Sequence, residues 1–412
     1  QLTKQGISTN VVDKETVKQF VQRAVAEPQE SESTIESVDD SAPFVNEIFS
    51  PFNPKDINIV VEPKTIDHLI TRLRYNEIDL NTEFQRKGNL WKAGLQSRLI
   101  ESILLRLPLP PFYFDASDDN KWLVVDGLQR LWSLKNFVLN AELNESDSPP
   151  LILCDLDILT DLNDQNITFN RLNRSMQRRI LETPITTYLI QPGTPKSVKY
   201  NVFSRINTGG LSLNAMEIRN ALNQGKASYS LRVLSEDSDL RALLPLRDNR
   251  MEDRELLLRA IAFINNDYDQ YRSPMNNFLD KAMEQLNDIS DNQIANISEG
   301  IFDAVFLYNE LFDKDMFSRS FAVKEYKPQI NSALFEVLVS ETYRLSESER
   351  NLIVANQADF KERYKAMLLD EEFTKAITTS TASRTAVRTR FEKARKLINS
   401  FLHDYKSRSK EL

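Results

Sequence analysis

Apolar and polar positions fall into a folded pattern from residue 57 onward. Ile57, Ile59, Val60 and Val61 predict a strand over 57–61, and Thr65 stands where a helix cap belongs, ahead of Ile66, Leu69, Ile70 and Leu73 at helical spacing. A second helix is expected over 92–105, with Leu95, Leu99 and Ile103 on one face, and Pro108, Pro110 and Pro111 stop it. Phe112, Tyr113 and Phe114 open a strand, 122–125 forms another, and Leu128, Leu131, Leu134 and Val138 carry a helix to about residue 140. Residues 151–153 read as a further strand and 184–199 as a loop-like interval. Asn214 and Glu217 have capping-box spacing. This alternation of short strands and helices predicts an α/β domain over 46–225.

Past residue 225 the strand signals vanish. Helical patterns run through 254–263, 277–286, 294–312, 330–343 and 387–405, with Ser290/Gln293 and Ser346/Glu349 as helix starts. The fold class expected is therefore α+β, an α/β domain followed by an all-helical domain over 226–412. The leading residues 1–45 read as an arm. A short helix is expected over 16–26, with Thr16 and Gln19 as a capping box, and the acidic run over 27–43 reads as a flexible tether.

The chemistry gathers around Val124-Val125-Asp126-Gly127-Leu128-Gln129-Arg130, where a buried strand turns straight into a helix. Gly127 suits the sharp turn, and a helix start with an arginine in its first turn suits an anion such as a phosphate. The same stretch admits a plainer reading, with Asp126 as a cap and Arg130 as a solvated side chain. Elsewhere the plain readings lead. Arg171, Arg174, Arg178 and Arg179 make a solvated basic face or a nucleic-acid-facing loop and helix, and Asp155 with Asp157 an exposed acidic loop. On the last helix Val387, Phe391, Ala394, Ile398 and Tyr405 form an apolar stripe flanked by Arg384, Arg388 and Arg395. That flank is the candidate DNA-phosphate surface, and a helix packed in the ordinary way is its alternative.

Composition narrows the classes. A net charge of −8 excludes a uniformly basic surface, so nucleic-acid binding would need a local patch. The one cysteine, Cys154, excludes an intrachain disulfide framework and fits a reducing cytoplasm. No apolar run is long enough to span a membrane and no leader pattern is visible, so a cytoplasmic protein is expected. With only His68 and His403 present, most histidine metal-site and histidine-triad chemistries are excluded, and no metal site is assigned.

Three motifs in order carry a resemblance. Glu83-Phe84-Gln85-Arg86 and Trp91 lead to Arg98-Leu99-Ile100-Glu101-Ser102-Ile103-Leu104 and the Pro108–Pro111 run. Asp126-Gly127-Leu128-Gln129-Arg130 follows, and then Phe203-Ser204-Arg205-Ile206-Asn207 with Gly209, Leu213, Glu217 and Arg219. Together they resemble the DGQQR-motif N-terminal domain of GmrSD-type modification-dependent restriction enzymes, a relative of the ParB/sulfiredoxin-like fold. The segments 250–256 and 381–390 resemble stand-alone members of that family. The resemblance implies a nucleoside triphosphate ligand. Gln85, Arg86, Gly127, Arg130 and Asn207 would bind the nucleotide, and Asp126, Gln129 and Arg130 would be catalytic, Asp126 holding a metal ion such as Mg2+ or a water. Two departures stand out. Leu128 replaces the usual first glutamine, which makes binding a safer expectation than hydrolysis. The histidine-containing HNH nuclease half is missing, so this chain alone is not expected to cut DNA and a separate nuclease subunit is implied.

Three functions follow as expectations. The first is a nucleotide-dependent, NTP-hydrolysing component of a prokaryotic DNA-defence system that acts on DNA with a partner. The second is a non-catalytic, nucleotide-responsive DNA- or protein-binding module. The third is a helical interaction protein whose pocket has decayed.

Overall fold

The computed structural model describes residues 35–36, 57–80, 91–118, 120–143, 149–163, 165–206, 214–223, 225–244, 246 and 251–408. The helix expected over 16–26 and the motif residues Gln85, Arg86 and Asn207 lie outside them. The chain divides into two units. One comprises Gln1–Glu30 with Phe52–Leu213, and the other Ser31–Pro51 with Asn214–Leu412. The first is mixed α/β and the second, among its described residues, is helical.

In the first unit β1 (Ile59–Thr65), β2 (Ile78–Asp79), β3 (Phe112–Asp115), β4 (Trp122–Asp126) and β5 (Pro184–Ile190) form one sheet in the order β1-β5-β3-β4-β2. The pairings β1–β5 and β3–β4 are antiparallel; β3–β5 and β2–β4 are parallel. Phe112, Phe114, Trp122, Val124, Ile185 and Leu189 face a single core. Onto it pack α1 (Ile66–Arg74), α2 (Ala93–Leu104), α3 (Leu128–Leu134) and α5 (Arg174–Leu181). Thr65 caps α1 as its spacing predicts, its Oγ1 accepting the His68 N–H at 3.3 Å. α3 runs on through a π turn at Lys135–Leu139 into α4 (Asn140–Leu143).

Two sequence expectations are corrected. Residues 184–199 are not a loop, because their first half is β5, paired on both sides. Thr186, Thr187 and Tyr188 dilute the apolar signal, yet Ile185, Thr187 and Leu189 all face inward. A threonine is tolerated there because its buried hydroxyl donates to the Glu62 carbonyl at 2.7 Å. Pro184 costs little as the first residue of a strand. Residues 151–153 are not a strand. Leu151 and Leu153 are buried, but their N–H groups go to the Asn136 and Ile167 carbonyls at 2.9 Å each, so the run is a buried loop.

After α6 (Lys196–Ile206), the second unit begins with α7 (Ala215–Leu222), ahead of the boundary expected near residue 225. The capping boxes at Asn214/Glu217, Ser290/Gln293 and Ser346/Glu349 are all formed. Helices Glu252–Asn265, Met275–Asp288, Asp291–Phe312, Ser332–Tyr343 and Arg384–Arg408 enclose the core positions their spacing predicts. The described part of the acidic run, Ile35 and Glu36, is anchored. Ile35 bridges to Ile330 in parallel, within the second unit.

The candidate nucleotide-binding turn

The site grows from the end of β4. Val124 and Val125 are buried, and the next residue, Asp126, lies directly opposite Tyr113 of β3. Gly127 then takes φ +100°, which reverses the chain into α3. A Cβ at Gly127 would fall 2.5 Å from Cδ1 of Phe112, so both conformation and packing require glycine here.

Arg130 does not project into solvent. Its guanidinium lies over the Phe112 ring, 4.5 Å from the centroid, and is almost wholly buried. Nη1 donates to the Pro110 carbonyl, both Nη atoms donate to the Pro111 carbonyl at 3.2 Å, and Nη2 donates to Asp126 Oδ2 at 2.9 Å. Burial lowers the Arg130 pKa, and Asp126 opposes that shift. The proline run and the Asp-Gly turn are thus one mechanical unit. Prolines offer carbonyls without N–H groups of their own, and Arg130 collects two of those carbonyls together with the Asp126 carboxylate. The consequence for Asp126 is asymmetric. Oδ2 is pinned, whereas Oδ1 makes no hydrogen bond among the described residues, and the side chain is 36% exposed.

Gln129 is held by the segment that precedes α2. Its Oε1 accepts the Trp91 N–H at 3.2 Å, while Gln96 Nε2 donates to the Trp91 carbonyl at 2.7 Å. Gln96 Oε1 in turn accepts from Asn136 Nδ2 at 2.9 Å. Trp91 is thus hydrogen-bonded to the first turn of α3. Leu128 is 3% exposed and belongs to the core.

Two residues that carried no role in the sequence analysis stand beside Asp126. Tyr113 and Tyr188 stack with ring centroids 4.6 Å apart and planes 12° from parallel. The strand registers place Val61, Tyr188, Tyr113 and Asp126 in one row across β1, β5, β3 and β4, on the face opposite Phe112 and Phe114. Val61 is 54% exposed, so the row is open at that end. Burial, then Tyr188 and Asp126, raises the Tyr113 pKa, which keeps the phenol neutral at physiological pH. Period-two alternation in Phe112-Tyr113-Phe114 was the available signal, since it sends the tyrosine away from its neighbours. Asp115, next on the same face, differs from Asp126. Lys199 Nζ at 2.7 Å and the Ser117 hydroxyl at 2.5 Å occupy both its oxygens.

Glu101 is fully buried, and its carboxylate accepts the N–H groups of Asp157, Ile158 and Leu159 at 3.2, 2.8 and 2.7 Å. Asp157 also faces Arg98 at 3.6 Å. Arg179 donates to the Leu104 carbonyl and Arg178 pairs with Glu182. Among the candidate DNA contacts, Arg388 pairs with Glu392 at 2.7 Å, and Arg395 donates to both Glu341 oxygens at 2.8 Å and to Asp267. These carboxylates raise the pKa of both arginines and neutralise their fields. Arg384 is exposed. Among the described residues no group of three His, Cys, Asp or Glu side chains is placed to hold a metal ion, and no helix is long and apolar enough to cross a membrane.

No curated protein and no solved structure matches the chain. Residues 67–224, which span α1 through α7 and include the whole Asp126–Arg130 turn, match the family model described as GmrSD restriction endonuclease, N-terminal domain. The mixed α/β region of this chain is therefore similar to a domain family associated with restriction enzymes, and a mostly helical region follows it.

Proposed function

We propose that the α/β unit, a ParB/sulfiredoxin-like domain, binds a nucleoside triphosphate at the Asp126–Gly127 turn, as the nucleotide-responsive part of a prokaryotic restriction-type DNA-defence component. The observation that carries this reading is the row Val61–Tyr188–Tyr113–Asp126, an aromatic pair beside a carboxylate with one pinned and one open oxygen. Stacked aromatic rings suit a nucleobase. Asp126 Oδ1 suits a Mg2+ ion that arrives with the phosphates, because Mg2+ is commonly held by one or two carboxylates together with phosphate oxygens. Arg130 serves as the positioning residue that orients Asp126, while Gln85, Arg86 and Asn207 are the residues the resemblance assigns to the ligand. DNA and a separate nuclease subunit are the partners of this reading, with Arg384, Arg388 and Arg395 as the weaker DNA surface.

Titrating the whole chain with nucleoside triphosphates and Mg2+ in a calorimeter tests the proposal. Saturable binding is expected, and losing one stacking ring in Tyr113→Ala or Tyr188→Ala should weaken it by about tenfold, as for aromatic stacking of a base. A folded chain that binds no nucleotide would overturn the reading.

A second reading, binding without turnover, is favoured by the burial of Leu128. Where the family has a glutamine amide, this chain has a core side chain that can neither orient water nor stabilise developing charge. Placing an amide there should cost about 1–3 kcal/mol of stability. Leu128→Gln is therefore expected to melt earlier with no gain in phosphate release. A faster Leu128→Gln would instead mean that the lost amide limits turnover.

A further inference from the structure

The helical unit contains a second built site, independent of the nucleotide reading. Glu36, within the acidic run, has an engaged side chain. Its N–H donates to the Ile330 carbonyl at 2.8 Å, extending the Ile35–Ile330 bridge. Its carboxylate is gripped by Arg319 in two-point fashion, Nη2 on Oε1 and Nε on Oε2, and Asn331 Nδ2 donates to Oε2 at 2.9 Å. The grip is prepared by the helical unit itself. Asn331 is fully buried, its Oδ1 caps helix Ser332–Tyr343 through the Leu334 N–H, and its Nδ2 also donates to the Ile377 carbonyl at 2.8 Å. Those bonds fix the amide so that its remaining N–H points at the carboxylate. Arg319 lies over the Tyr326 ring at 4.1 Å, which orients its fork.

We propose that this is a recognition site for an extended peptide in which an aliphatic residue precedes a glutamate, with Ile35–Glu36 as its resident occupant. The partner it fits is a protein segment of that same chemistry, which takes the site by displacing the arm. Bidentate arginine reads a carboxylate specifically, and the backbone bridge adds a strand-like contact, the two parts of a linear-motif site. So small a contact is sustained by being intramolecular, which gives it an effective concentration on the order of millimolar. A longer or locally concentrated segment can therefore exchange with it without unfolding the receptor.

The test uses the full chain and a fluorescent peptide copying residues 30–40. Glu36→Arg places like charge against Arg319 and empties the site. The peptide should then bind Glu36→Arg about tenfold or more tighter than wild type, as removal of a tethered competitor requires. Adding Arg319→Ala, or replacing the peptide's glutamate by glutamine, should abolish saturation. Equal affinity for wild type and Glu36→Arg, binding that survives Arg319→Ala, or no binding to a Glu36→Arg chain with wild-type melting would each overturn the proposal.

Discussion

Glu336→Ala is expected to destabilise the helical unit by about 3–5 kcal/mol, the usual cost of stranding a buried charge. Glu336 is fully buried on helix Ser332–Tyr343, where two buried arginines share its carboxylate. Arg259 Nε donates to one oxygen at 2.8 Å and Arg390 Nη2 to the other. Arg390 keeps the Thr381 and Ala376 carbonyls and Arg259 has Glu255 at 3.8 Å, but neither guanidinium can reach water. Removing Glu336 thus takes away the carboxylate that two desolvated guanidiniums share. Glu341→Ala is the matched control, because its partner Arg395 is 31% exposed and retains Asp267. Its loss should be far smaller. Chemical denaturation of both variants checks the comparison; similar midpoints would show that Arg259 and Arg390 relax without their shared anion. Arg390 and the Thr381 carbonyl both lie in segment 381–390, which works here as a buried ionic clamp.

The second large effect belongs to the turn. Gly127→Ala meets two penalties together. At φ +100° an alanine is strained by about 1–3 kcal/mol. Its methyl would also press on Phe112, a ring with no exposed surface, and overpacking of that kind costs about 1–3 kcal/mol more. Gly193 separates the terms, since it has φ +85° and no atom within 4 Å of an added Cβ. Gly193→Ala should lose only the backbone part, whereas Gly127→Ala should lose both and also displace Phe112, on which Arg130 rests. Nucleotide binding, if it follows the proposed reading, should fall with Gly127→Ala and persist with Gly193→Ala. A Gly127→Ala chain as stable as Gly193→Ala would mean that Phe112 can move aside.

Local features were legible because local chemistry causes them. Thr65, Asn214, Ser290 and Ser346 cap the helices their spacing announces, and the apolar faces of the long helices are the buried ones. The Asp126–Gly127 turn was equally plain, since a strand that reverses into a helix within one residue requires glycine. Side-chain partners distant in sequence were not. Arg130 reads as a free phosphate ligand until the fold brings the Pro110 and Pro111 carbonyls around it, and Arg388 and Arg395 read as open cations until Glu392, Glu341 and Asp267 pair with them. β5 was hidden because Thr187 is polar by composition and apolar in effect, once its hydroxyl meets the Glu62 carbonyl. The stacked tyrosines needed the parallel β3–β5 register, a pairing between segments far apart in the chain that no window of sequence contains. What periodicity and capping determine is where each element starts and which way it faces. Which charges remain available is decided only when tertiary packing assigns every buried donor its acceptor.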